Sequence, residues 1–154
     1  MSLTRLLAFL LLGMLLSCHS ASFDQTVWLA NPNLEDTHNP RARMVQDVLD
    51  HHLQSGMSRK SVVALLGVPY KDGIERRLPK TTVLPDSLSP TNPENRKPEN
   101  QNRLIDQLNN FYRMYTQPVR IMRYPVGWST IDPNFLLIQL SKEGVVEAYW
   151  VEQG

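Results

Sequence analysis

The stretch GMSRKSVVALLGVP, residues 56 to 69, fixes both ends of one short helix and leaves little freedom about what surrounds it. Ser58 is a good N-cap, because its hydroxyl can accept from a backbone N–H of the first turn. Val62, Leu65 and Leu66 recur at helical spacing on one face. Gly67 closes the element and Pro69 prevents its return. An earlier helix is expected to begin at Asn39-Pro40, with Asn as cap and Pro at the first helical position. Val45, Val48, Leu49 and Leu53 form its apolar stripe, Asp47, Asp50 and His51 fall elsewhere, and Gly56 is expected to stop it.

The last third of the chain reads as sheet. Val119 to Val126 reads as a strand, with Pro125 ending it or marking an edge. Phe135 to Leu140 is nearly all apolar, and Val145 to Val151 follows after SKEG. A three-residue loop, Lys142-Glu143-Gly144, puts glycine in the left-handed position of a bulged turn. Leu140 then faces Val146, Ile138 faces Ala148, and Leu136 faces Trp150, while Gln139 and Glu147 share the other face. A four-residue loop would set Glu147 opposite Ile138.

Between helices and strands lies a segment of different character. Residues 79 to 103 contain five prolines and little to bury, and read as an irregular loop. Residues 102 to 116 read as a helix with Leu104, Leu108, Phe111, Tyr112 and Tyr115 on one side, a stripe suited to core packing or to a lid on the sheet.

The N-terminal end has its own signature. Arg5 precedes an eleven-residue apolar run, Leu6 to Leu16. A membrane-spanning helix needs about 20 such residues, so this length suits the apolar region of a signal peptide. The run ends Leu15-Leu16-Ser17-Cys18, which resembles the bacterial lipobox. That resemblance implies a signal peptide over 1–17, removed before Cys18, and acyl chains such as palmitate on that cysteine. Cys18 is the only cysteine, and in an exported chain an unpaired cysteine calls for such a use. Residues 18–39, rich in polar and turn residues, read as a flexible tether, with Val27-Trp28-Leu29 as a small contact to the domain. Loss of residues 1–17 removes Arg5 and no acidic residue, leaving Lys plus Arg equal in number to Asp plus Glu. A nucleic-acid partner would normally demand a basic excess or stripe, and none is present.

Gly56, Met57, Ser58, Val62, Leu66, Gly67 and Pro69 match without a gap the signature of the SmpA/OmlA (BamE-like) lipoprotein family, which this chain resembles. Tyr124, Gly127, Ile131-Asp132-Pro133 and Gly144 also resemble one branch of that family. The resemblance implies an α+β fold of two helices packed on a three-stranded antiparallel sheet, as also seen in a β-lactamase inhibitor protein. In this chain it would carry an insertion at about 70–118, the whole domain covering 40–154. It further implies attachment to the outer membrane through the N-terminal lipid, facing the periplasm in a Gram-negative source, and protein partners in the envelope.

The residues offer little for catalysis. Asp47 and His51 lie four apart and can share a helix face, but two ligands do not make a metal site. There is no phosphate-binding glycine loop and no nucleophile elbow. No cofactor, metal or catalytic residue is therefore expected. Tyr124, Trp128 and Asp132 are candidate partner-contact residues in an exposed patch near the sheet's end. The expected function is a lipid-anchored, non-enzymatic binding or scaffolding module serving outer-membrane protein assembly or envelope integrity. The alternative is an envelope enzyme whose site forms where the insertion folds over the sheet.

Overall fold

The computed structural model describes residues 21–154. The expected signal peptide and Cys18 lie outside the described residues. The chain forms an α+β fold around one four-stranded antiparallel sheet. Its elements, in order, are α1 (Gln25–Ala30), α2 (Arg41–Asp47, running on into a π-helical turn Val48–His52), α3 (Arg59–Leu66) and β1 (Lys71–Arg77). Then follow three short 3-10 turns between residues 86 and 100, α4 (Gln101–Tyr115), β2 (Gln117–Trp128), β3 (Pro133–Leu140) and β4 (Val146–Gln153). The strand order β1-β2-β3-β4 follows the chain.

The helix signals work as chemistry predicts. Ser58 Oγ accepts from Ser61 N at 3.1 Å and caps α3. Asn39 Oδ1 accepts from Arg41 N at 3.0 Å at the start of α2. Gly67 ends α3 with φ +81° and ψ −168°, a region open essentially to glycine. A Cβ there would also lie 2.7 Å from Leu29 Cδ2. Gly56 does not stop α2: that helix is finished by Leu53, and Gly56 N donates instead to Val146 O at 2.8 Å, tying the helix connection to β4.

Three further expectations are corrected. The sheet has four strands, not three. The additional strand, β1 (KDGIERR), lies within the expected insertion and pairs with β2 from Lys71↔Arg123 to Arg77↔Gln117. Charge and a mid-strand glycine hide it in the sequence, yet an edge strand tolerates both.

The supposed tether is the second. From Ala21 onward the segment is wired to the domain: Ala21 N donates to Arg43 O at 2.9 Å, and Phe23 N to Asp47 Oδ2 at 2.7 Å. Gln25 Nε2 reaches the carbonyls of Ala64 and Leu65. Trp28 is wholly buried and donates from its indole to Leu66 O at 3.1 Å. Full burial of an indole outweighs the polar composition around it.

The third is the hairpin register. The turn is as expected, with Ser141 N bonded to Val145 O and Gly144 at φ +77°. Leu140 faces Val146, but a bulge follows, so that Gln139 pairs with Ala148, Ile138 with Tyr149, and Leu137 with Trp150. One extra residue flips every later side chain to the opposite face. Trp150 therefore sits away from the helices, and Tyr149 packs beneath them.

The main core lies between the helix layer and one sheet face. Trp28, Val48, Val62 and Leu66 meet Met122, Tyr124, Leu136 and Ile138, all wholly buried. Arg41 is buried there too. Its Nε donates to Trp28 O at 2.8 Å, its guanidinium carbon lies 4.7 Å from the indole centre, and burial lowers its pKa to about 10. Pro125 lies within a central strand, past the last β1 pairing at Arg123, so the missing N–H breaks no ladder there. Among the described residues no helix is long and apolar enough to cross a membrane.

Candidate functional site

The sheet face turned away from the helices carries alternate residues of the same strands. At its centre Ile121, Leu137 and Phe135 are buried although no helix among the described residues covers them, with Trp150, Val119 and Leu34 packed against them. A charged lattice spans the flank. Arg123 holds Glu75 through two bonds, Nε to Oε1 at 2.7 Å and a terminal nitrogen to Oε2 at 2.8 Å. Arg77 bonds Glu75 Oε2 at 3.1 Å and grips Glu152 with two nitrogens at 2.7 and 3.0 Å. The Trp150 indole N–H donates to Glu152 Oε2 at 3.0 Å. These hydrogen bonds, from Arg123 onto Glu75 and from Arg77 onto Glu152, outweigh partial burial and hold both carboxyls below the usual carboxylate range. The same contacts raise the pKa of Arg77 and Arg123.

Above this lattice lies an open groove of about 770 Å³. Trp150 and Tyr112 contribute aromatic surface, Leu78 and Lys80 come from the chain leaving β1, and Gln139 from the centre of the sheet. The Lys80 ammonium stands 5.8 Å from the Trp150 ring centre and Arg77 5.5 Å, within reach of the indole's negative face. Tyr112 arrives from α4, whose C-terminus is fastened to β1: Arg76 donates to the carbonyls of Thr116 at 2.8 Å and Arg113 at 3.4 Å. The helix expected over 102–116 is present as α4, but it forms no lid. Phe111 is buried, Tyr112 and Tyr115 stay exposed, and α4 packs chiefly against the 3-10 turns before it.

The candidate contact residues do not form an exposed patch. Tyr124 is wholly buried on the helix side and donates to Gly67 O at 3.0 Å, and burial pushes its pKa well up. Trp128 donates to Leu34 O at 2.7 Å and holds down the N-terminal segment. Asp132 accepts from Gln153 at 3.0 Å, beside a turn closed by Ser129. All three serve the fold. Tyr124 lies two residues from Met122 and Val126 on an apolar period, and that alternation marks it as core.

Asp47 does bond His51, at 2.8 Å, and also His52 at 3.3 Å. Its shift below the usual carboxylate range comes first from the Phe23 N–H, so its principal partner is the docked N-terminal segment. Sequence reasoning missed Glu75, Arg77, Arg123, Trp150 and Glu152. The one available signal was alternation of charge along KDGIERR, where Glu75 and Arg77 share a face. Comparison of the chain with protein-family models, with curated proteins and with solved structures finds no match.

Proposed function

We propose that this chain is a lipid-anchored, non-enzymatic binding module of the cell envelope, related to the SmpA/OmlA lipoproteins and presenting the groove beside Trp150 to a protein partner. The observation that carries the binding reading is the state of the groove's charges. Glu75 and Glu152 are held ionised by arginines that also bridge them, an arrangement suited to rigid recognition and poorly suited to proton exchange at neutral pH. Aromatic surface beside fixed charge is the usual make-up of a contact site.

The anchor reading rests on the leader and Cys18. Because the chain is docked from Ala21, three peptide links separate it from Cys18, a reach of about 10 Å. An acylated chain would therefore hold the domain against the membrane on the side of α2, leaving the opposite sheet face and its groove toward the aqueous space.

Two experiments test this. Labelling with radioactive palmitate in cells should mark the wild type and not Cys18→Ser; equal labelling removes the anchor. A photo-crosslinking amino acid at Tyr112 should trap a discrete partner in the envelope, and one at the exposed Ile131 should not. Identical products from both positions count against the groove as the contact site.

A further inference from the structure

The chemistry of the groove narrows its partner, on the reading that the groove is a binding site. Its two carboxylates are already engaged by the protein's own donors. Glu75 Oε1 takes Arg123, Glu75 Oε2 takes Arg123 and Arg77, and both oxygens of Glu152 take Arg77, one of them also Trp150. Its donors are in excess. Lys80 faces the indole with no carboxylate bonded to it among the described residues. Lys71 adds a further cation at the rim, a loose 4.0 Å from Glu75. Arg76, Arg77, Lys80 and Arg123 line the groove and Lys71 stands beside it, against Glu75 and Glu152, both already bonded to arginine. Glu147, held by Gln139, enters only where the groove passes into the next depression. The excess of cations favours acidic groups over basic ones.

Shape narrows it further. The groove continues into a second, smaller depression of about 390 Å³, which shares Arg77, Leu78, Lys80 and Gln139 with it and reaches Gln117, Val119 and Glu147. An open trough running across the strands suits an extended chain better than a compact ligand. The geometry points to an extended acidic peptide segment as the occupant. One of its carboxylates pairs with Lys80, and a neighbouring apolar side chain lies on Trp150 and Tyr112.

The test uses a fluorescent synthetic peptide of about ten residues alternating Asp with Phe and Val, and a counterpart with Lys in place of Asp. Fluorescence polarisation with the purified protein should show at least tenfold tighter binding of the acidic peptide, weakened by salt. Lys80→Glu should lower that affinity at least tenfold, and Lys80→Arg should retain it. Lys80 is exposed, so both variants should melt as the wild type does. Equal binding of the two peptides, or an unchanged affinity in Lys80→Glu, overturns the proposal. So does binding to phosphatidylglycerol vesicles in place of the peptide, which would make the occupant a lipid surface. If neither peptide binds while Tyr112 still crosslinks a partner in cells, the acidic chemistry is wrong and the binding-module reading stands. Loss of the crosslink as well removes that reading.

Discussion

The two faces of the sheet are built from the same strands and held by different forces. Toward the helices, Met122, Tyr124, Leu136 and Ile138 meet Trp28, Val62 and Leu66 in a dry layer. Away from them, Ile121, Leu137 and Phe135 form a thin apolar strip roofed by Trp150 and an Arg–Glu lattice. The first face gains its stability from area removed from water, at roughly 25 cal/mol per Å². The second keeps its apolar strip buried while leaving charge and aromatic surface at the solvent boundary. A protein that packs one face tightly can leave the other available for recognition.

Two tryptophans give the sharpest contrast. Trp28→Ala should remove about 3–5 kcal/mol, because it opens a cavity in the main core and strands the carbonyl of Leu66. Trp150→Ala, at a half-buried position, should cost about 1–2 kcal/mol. Urea denaturation of both variants measures the gap. Equal losses would mean that the open face contributes as much to stability as the helix layer.

Gly67 tests the backbone beneath the helix layer. A side chain there meets both a positive φ and Leu29 Cδ2 at 2.7 Å, so Gly67→Ala should cost about 1–3 kcal/mol. Ser61→Ala keeps the backbone N–H that Ser58 caps and should stay within about 0.5 kcal/mol. Indistinguishable melting of the two variants would contradict the role given to Gly67.

The lattice of the open face has a pH signature that the apolar face lacks. Glu75 and Glu152 have folded pKa values below their unfolded ones, of about 4.3, so their ion pairs stabilise fully above that range. The contribution is lost as pH falls through the lowered folded values. Glu75→Gln should therefore cost about 1–2 kcal/mol at pH 7. Its melting temperature should converge on that of the wild type as pH drops below about 4. A gap unchanged down to pH 3 would show that the lattice is held by packing and not by charge.

Legibility in the sequence divides along the same line. The helix layer could be read because caps and apolar periods act locally: Ser58, Gly67 and the stripe Val62–Leu66 each fix one feature. Trp28 could be read only as a small contact to the domain and not as a wholly buried core residue, since its partners Leu66 and Arg41 lie far along the chain and its own helix has six residues. The open face was hidden for two reasons. β1 has no apolar period, its strand character coming from pairing with β2 alone. And the bulge after Leu140 moved Trp150 across the sheet, a change set by how Val146 bonds to Gly56 and Met57, outside the hairpin itself. Alternation gives the faces of a regular strand, but a bulge is decided by tertiary contacts.

The smallest effect should come from the segment between β1 and β2. Residues 81–100 place Leu88 and Asn95 in a satellite cluster under α4, and their hydrogen bonds run among the 3-10 turns themselves. Joining Lys80 to Gln101 through a Gly/Ser linker of about ten residues keeps Lys80 and α4, and the closure entropy of such a loop depends only weakly on its length. The four-stranded sheet and its helix layer should stay folded, with a change within about 1 kcal/mol, or roughly 3 °C in Tm. Uncovering Phe111 should loosen α4 and with it Tyr112, so the crosslink from Tyr112 should weaken while cooperative melting persists. Loss of cooperative unfolding would show instead that the satellite cluster belongs to the core, and that the open face depends on the segment for its stability as well as for one wall of its groove.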